Sequence, residues 1–323
     1  MIESGSTVLV TGCRGFIGKH LVGSLLQIKG TTVYGVDMPG KFNENFIEEN
    51  RGSLSKFVTL PTDLTEESNC GELPDVDYVF HLAAINGTQL FYQVPWHVFY
   101  NSSVSTINLI NRYKECETLK RFVYASSSEV YADLSAIENF TSITNESVAV
   151  GFQDVFNPRW SYGGAKLTGE IGVVAAGQQF DFPFTILRYH NVYGASMGIN
   201  HVMPDFIDRG KLGTYELYGG DNVRSFIYVS DAVEASLISA HSNEAEKRIV
   251  HIGTMEPITM LEMARKIMRL SNWSGEIKVN PAPSGSTSFR CPDTSFLNQV
   301  LGFSPRVTLE LGLKLLLADR GVL

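Results

Sequence analysis

The stretch Val8-Leu-Val-Thr-Gly-Cys-Arg-Gly-Phe-Ile-Gly18 constrains this chain more than any other. An apolar, β-branched run leads directly into three glycines spaced Gly12-x-x-Gly15-x-x-Gly18. Such a run reads as a buried parallel strand ending in a tight turn. Glycine is required where the backbone takes positive φ or lies flush against a ligand. The following run, Lys19 to Leu26, reads as a helix whose N-terminus faces the turn. Free N–H groups and the helix dipole at such an end suit a pyrophosphate. A second strand, Thr31 to Val36, ends in Asp37, 19 residues beyond Gly18. A carboxylate there takes both hydroxyls of an adenosine ribose and repels a 2′-phosphate, which favours NAD over NADP.

Strand-like and helix-like segments continue to alternate. Phe57 to Leu60 is followed by Asp63-Leu64, an acid and an apolar side chain placed to flank an adenine ring. Asp75 to Leu82 reads as a fourth strand, closed by the small residues Ala83-Ala84, which let a cofactor approach the backbone. Asn101 to Cys116 has helical spacing, Arg121 to Ala125 is strand-like, Ser161 to Ala176 helical and Phe184 to Arg188 strand-like. Alternating βα units imply an α/β fold with a doubly wound parallel sheet of Rossmann type. Ligands of such sheets bind at the carboxyl ends of the strands, where the notable residues fall. Beyond about residue 191 the pattern changes to turns, short helices and loops, and Ile249 to Gly253 reads as one more buried strand. The expected division is a dinucleotide-binding domain of residues 1–193 plus about 223–256. About 194–222 plus 257–323 would form a smaller C-terminal α/β substrate-binding domain.

With 323 residues, 44% of them hydrophobic, the chain has the material for a sizeable core. Its net charge of -8, with acids and bases interspersed, argues against nucleic acid or an anionic membrane as partner. Cys13, Cys70, Cys116 and Cys291 lack metal-ligand spacing and read as reduced thiols, so no metal site is expected. The N-terminus lacks the basic-then-apolar pattern of a signal peptide, and no apolar run approaches the roughly 20 residues that span a bilayer. A cytoplasmic location is the expectation.

The chemistry lies in two segments. Tyr162-Gly-Gly-Ala-Lys166 sits on a predicted helix, where i, i+4 spacing puts both side chains on one face. An ammonium beside a phenol stabilises phenolate, giving a base that removes a hydroxyl proton while hydride leaves the same carbon. Tyr124-Ala-Ser-Ser-Ser-Glu-Val-Tyr131 lies at the end of a predicted strand, where a serine hydroxyl orients the reacting oxygen.

Taken in order, these motifs resemble the extended short-chain dehydrogenase/reductase family, the nucleotide-sugar epimerases and dehydratases. The resemblance spans essentially the whole chain. It is carried by Thr11-Gly-x-x-Gly-Phe16-Ile17-Gly18, Asp37, Asp63-Leu64, His81-Leu82-Ala83-Ala84, Asn101 and Ser126-Ser-Ser-Glu-Val-Tyr131. Tyr162-x-x-x-Lys166, Leu187-Arg-Tyr-His-Asn-Val-Tyr-Gly194, Arg224-Ser-Phe-Ile-Tyr-Val-Ser-Asp231, Arg290-Cys-Pro-Asp-Thr-Ser295 and Leu301-Gly-Phe-Ser-Pro305 complete it. The resemblance implies tightly bound NAD held by Gly12, Gly15, Phe16, Ile17, Gly18, Asp37, Asp63, Leu64, Leu82, Ala83, Ala84, Tyr162 and Lys166. It implies Ser127 as the catalytic Ser/Thr, Tyr162 as base and Lys166 as the residue that binds nicotinamide ribose and tunes that base. Asn191 resembles a substrate-contacting residue. Arg224 and Arg290 resemble the arginines that hold a nucleotide diphosphate, since a planar guanidinium suits two phosphate oxygens.

The shared opening step of that family oxidises the sugar C4 hydroxyl to a 4-keto sugar. Hydride returned to the other face makes an epimerase; loss of water makes a dehydratase; loss of carbon dioxide makes a decarboxylase. In 4,6-dehydratases the positions of Ser127-Ser128-Glu129 resemble Thr-Asp-Glu, and Ser128 is too weak an acid to replace that Asp. The leading expectation is an NAD-dependent nucleotide-sugar epimerase. The alternative is a decarboxylase or dehydratase using Glu129 as acid or base. A regulatory NAD-binding protein without catalysis is a third class, against which the intact Ser127, Tyr162 and Lys166 argue. His190 replaces a commoner Phe and, by strand alternation, points away from the substrate. The helices at 101–116 and 161–176 resemble those that pair in family homodimers, with Ala165, Ile171 and Val174 as candidates for such a face.

Overall fold

The computed structural model describes residues 2–42, 54–132, 143–199 and 201–323. Seven parallel strands form the central sheet: β1 (Thr7–Thr11), β2 (Thr32–Asp37), β3 (Lys56–Pro61), β4 (Tyr78–His81), β5 (Arg121–Ser127), β6 (Phe184–Tyr189) and β11 (Arg248–Ile252). Their order is β11-β6-β5-β4-β1-β2-β3, so the chain reverses direction across the sheet between β1 and β4. A crevice opens at such a switch point, outside the carboxyl ends of the strands. Every residue of β4 and β6 is buried. Near-continuous apolar runs are what a sheet covered on both faces requires.

On one face lie α1 (Phe16–Leu25) and a C-terminal group of helices, whose apolar side chains share one core with Val8, Val10, Val123 and Val250. On the other lie α2 (Glu67–Gly71), α4 (Pro95–Tyr113) and α5 (Trp160–Phe180), while the short α3 (Thr88–Gln93) packs near the start of α5. Leu109, Tyr113, Val173 and Ala176 bury Leu9, Phe122, Tyr124 and Ile186 on that side. Helix α5 lies close to the sheet because Gly169 faces the Tyr124 ring, where a Cβ would overlap the phenol. That proximity sets the Lys166 side chain against β5.

The chain then leaves the sheet and returns to it. Beyond β7 (Val192–Tyr193) come α6 (Val202–Lys211), β8 (Glu216–Tyr218), β9 (Val223–Arg224) and β10 (Ile227–Tyr228). Helix α7 (Val229–His241) leads back to β11, which pairs with β6 in the register Ile249↔Ile186. The remainder holds β12 (Ile258–Thr259), α8 (Met260–Leu270), β13 (Lys278–Asn280), β14 (Phe289–Arg290) and α9 (Leu309–Asp319). Helix α8 starts at a capping box of Thr259 and Glu262, each side chain accepting from the other's backbone N–H. Strand β9 is flanked by β12 and β14, which makes Arg224 and Arg290 register partners. Among the described residues no helix is long and apolar enough to cross a membrane, and no cluster of three His, Cys, Asp or Glu could hold a metal.

Candidate active site

The glycine turn closes the first βα unit at the switch point. Gly12 has φ +66°, and a Cβ on it would lie 2.9 Å from the backbone of Ala83. A Cβ on Gly18 would overlap the Gly12 carbonyl oxygen. The floor of the turn is thus backbone packed on backbone, with Ala83 N–H donating to Thr11 Oγ1 at 3.2 Å. Gly15 stands at the N-cap of α1 with no side chain bonded to the first-turn N–H groups. Those donors, and a cradle that any methyl would fill, fit the pyrophosphate of a dinucleotide. Asp37 ends β2, its Oδ2 accepting from Arg14 N–H at 2.9 Å and its Oδ1 from Met38 N–H at 3.0 Å. Asp63 Oδ1 accepts from the N–H and hydroxyl of Thr65, and the buried Leu64 presents its carbonyl to Asn108.

Strand β5 delivers the serines. Alternation along it sends Ser126 into the interior, where Oγ donates to Glu170 Oε1 at 2.5 Å. Ser127, the last residue of β5, caps the short turn that follows by accepting from the Glu129 N–H at 3.2 Å, and it lies near enough to the Tyr162 phenol to act on it. The Tyr162 ring stacks on Phe91 of α3, with centroids 5.0 Å apart. One helical turn on, Lys166 Nζ donates to the Ala125 carbonyl at 2.6 Å and lies 5.8 Å from the Tyr162 ring. Tyr162 and Lys166 share one face of α5, as their i, i+4 spacing predicts, and that face meets the end of β5 at Ala125 and Ser127.

The electrostatics differ from the sequence expectation in one respect. Burial, reinforced by the nearby Glu129 carboxylate, pushes the Tyr162 phenol above its ordinary value. Burial also lowers Lys166 to about 7, so the lysine yields part of its charge instead of imposing it on the phenol. A base at Tyr162 near neutral pH needs further positive charge beside it.

Glu129 carries its own counter-ions. Its Oε1 accepts from Arg290 Nη1 at 2.7 Å and from Arg159 Nη2 at 3.3 Å. Although burial opposes ionisation, the two guanidinium groups hold the carboxyl down at about 2. Its Oε2 is buried without a hydrogen-bond partner among the described residues. Arg290 is fixed further by the Ala132 carbonyl and Thr287 Oγ1. Arg224 donates to the carbonyls of Val223 and Thr287. In this structure Arg290 is thus directed at Glu129, two residues beyond the end of β5 at Ser127.

Asn191 adopts φ +44° and donates to the Ser225 carbonyl at 2.9 Å. His190 points into the core, as alternation predicts, with its ring 4.7 Å from that of His251. Sequence reasoning passed over Arg159, Glu170 and Arg188. Glu170 had a signal, since Tyr162, Lys166 and Glu170 repeat at i, i+4, i+8 along one face.

The model of the NAD-dependent epimerase/dehydratase family matches residues 8–253. The chain belongs to that family. A relative from Bacillus cytotoxicus, UDP-N-acetyl-alpha-D-glucosaminuronate decarboxylase, is 32% identical over 95% of each chain. Among solved structures, the UDP-glucuronic acid 4-epimerase of Bacillus cereus, in complex with UDP-glucuronic acid and NAD, superposes with a TM-score of 0.84. It is 25% identical, with 98% of this chain and 100% of that one covered. The UDP-glucose 4-epimerase of Thermotoga maritima gives the same TM-score and identity over 98% of both chains. This epimerase/dehydratase family member is therefore an NAD-dependent nucleotide-sugar enzyme, and the Rossmann-type α/β sheet expected from its sequence is the fold it has.

Proposed function

We propose that the chain oxidises a nucleotide-diphosphate sugar at C4 and returns the hydride to the same sugar, as a nucleotide-sugar 4-epimerase does. The observation that carries this reading is the convergence of Ser127, Tyr162 and Lys166 at the carboxyl end of β5, beside the glycine turn. NAD, when bound, supplies the acceptor of the C4 hydride. The glycine turn would hold its pyrophosphate, Asp37 the adenosine ribose and Lys166 the nicotinamide ribose. Ser127 would hold the C4 hydroxyl by hydrogen bond while Tyr162 takes its proton and later returns it. The stacked Phe91 keeps the phenol in place and water away from it. Residues about 194–222 and 257–323 would form the sugar-nucleotide half, with Asn191 and Arg224 at its border.

A second reading, decarboxylation of a uronate sugar after the same C4 oxidation, is favoured by Glu129 and its two arginines. An epimerase needs no acid beyond Tyr162, yet here a carboxylate and two guanidinium groups are built beside it. Arg159 and Arg290 have the geometry to accept a carboxylate in place of, or beside, Glu129. The Bacillus cytotoxicus relative is a decarboxylase by name.

We also infer a homodimer. Helices α4 and α5 pack on each other and expose Ile107 and Ile171, with Trp96, Phe99 and Tyr100 along α4. Of the three side chains expected there, Ala165 is instead fully buried in the chain's own interior. A monomeric mass by light scattering would remove this inference.

The test is incubation with UDP-, GDP-, CDP- and dTDP-sugars, uronates included, with NMR of the products and assay of released carbon dioxide. An inverted C4 centre with no carbon dioxide supports epimerisation; stoichiometric carbon dioxide supports the second reading. Tyr162→Phe should lose turnover by about 10²- to 10⁴-fold and keep NAD binding, whereas full activity would refute the assigned base.

A further inference from the structure

We propose that Glu170 is a positioning residue for Lys166, its carboxylate serving as the fixed counter-charge that opposes loss of the proton from the buried ammonium beside the reacting tyrosine. The inference rests on the reading of Tyr162 and Lys166 as the proton-transfer pair. Lys166 lies one turn after Tyr162 and one turn before Glu170 on α5, and all three are buried. An ammonium in such surroundings loses its proton unless an opposite charge compensates for the missing water. The groups around it are few. From α5 come Tyr162 and Glu170; from β5, the Tyr124 ring at 5.1 Å and the Ala125 carbonyl; from β4, His81. His81 is held between the hydroxyls of Thr11 and Thr106 and is neutral, lowered by burial to about 3. The Ala125 carbonyl supports the ammonium as a neutral acceptor, and Glu170 is the negative charge that acts to keep Lys166 protonated.

Glu170 is in turn held by three bonds from two strands. Arg188 of β6 donates through Nε at 2.9 Å and through Nη2 at 2.6 Å, one bond to each carboxylate oxygen. Ser126 of β5 adds its hydroxyl at 2.5 Å. A paired fork of this kind fixes a carboxylate in direction as well as charge. Arg188 is itself tied to Tyr131 Oη at 2.6 Å, and Tyr131 to His251 Nε2 at 2.6 Å. The carboxylate cannot swing away from Lys166 without breaking this chain of bonds. No hydrogen bond joins it to Tyr162 or to the glycine turn, and the titration of Lys166 separates its action on the lysine from its support of Ser126 and Arg188.

The test reads Lys166 directly, by heteronuclear NMR of protein labelled with 15N at lysine Nζ. The resonance is assigned with Lys166→Arg and followed between about pH 5 and pH 10. Glu170→Gln should lower the Lys166 midpoint by about one pH unit or more. The alkaline limb of the turnover profile, measured with UDP-glucose and UDP-glucuronate as probes, should move down with it. Glu170→Asp, which keeps the charge, should stay near the unaltered protein. Because Glu170→Gln leaves Arg188 unpaired, Glu170→Gln with Arg188→Gln removes both charges and decides the question if the single variant does not fold. A midpoint unchanged in either Gln variant overturns the proposal, as does a rate loss that is equal at every pH. Retained turnover in Tyr162→Phe would sink the functional reading alone, since the NMR midpoint does not depend on it.

Discussion

The two halves of the candidate site are made of different material. Around Gly12, Gly15 and Gly18 the cradle is backbone: carbonyls and N–H groups packed on the backbone of Leu82 and Ala83. Around Glu129 it is side chain: two long guanidinium groups brought to one carboxylate from α5's start and from β14. A backbone cradle is fixed by local chain geometry and tolerates no added atom. A side-chain cluster is fixed by charge balance, tolerates changes of shape, and fails when a charge is left unpaired. The first half suits a ligand shared by a whole family, the second a chemistry that varies within it.

That contrast breaks if either half responds to changes in the other. The largest effect expected is from Gly18→Ala, whose methyl must displace the Gly12 carbonyl. NAD binding measured by calorimetry should be lost, with a stability cost of about 1–3 kcal/mol. The Arg159–Glu129–Arg290 cluster should survive in a crystal structure of that variant. Arg290→Met should do the reverse. It leaves a buried carboxylate with one guanidinium, lowering stability in urea by about 3 kcal/mol while NAD affinity stays within about twofold. Weakened NAD binding there would show that the halves are coupled.

Acid sharpens the comparison further. Glu129 is held at about 2 in the folded chain against an ordinary value of 4.5. A carboxyl depressed by folding contributes stability that is present above the unfolded value and is lost as pH falls toward the folded one. Stability should therefore decline as pH drops from about 4.5 toward 2, and Glu129→Gln should blunt that decline in a urea titration. The smallest effect belongs to Asp37→Asn. It should weaken NAD by about tenfold and narrow the preference over NADP, as read by calorimetry with both dinucleotides.

What was legible in the sequence divides along the same line. The glycine turn, Asp37, and the Tyr162–Lys166 pair depend on spacings within one or two elements, and spacing is what a sequence displays. The Glu129–Arg290 contact joins residues 161 apart, and their meeting depends on β14 lying beside β9. Element limits were less legible. The helix expected from Asn101 begins at Pro95, because a proline at the first helical position starts a helix instead of breaking one. The strand expected from Asp75 begins at Tyr78, because the Asp77 carboxylate turns back to the N–H and hydroxyl of Thr7. The phenol's rise was hidden for another reason: it is set by burial, and pattern shows which residues face inward but not how completely they lose water.

The interleaved path of the chain has a consequence for how the molecule is made. Strands β1 to β6, the glycine turn and the Ser127–Tyr162–Lys166 set all leave the ribosome before β14 does. For that interval Glu129 has its ion pair with Arg159 but not the one with Arg290, which emerges later to complete the cluster. Strand β14 thus acts as a latch on the end of β5, and a nascent chain cut short of it would hold its dinucleotide cradle beside an unfinished acid.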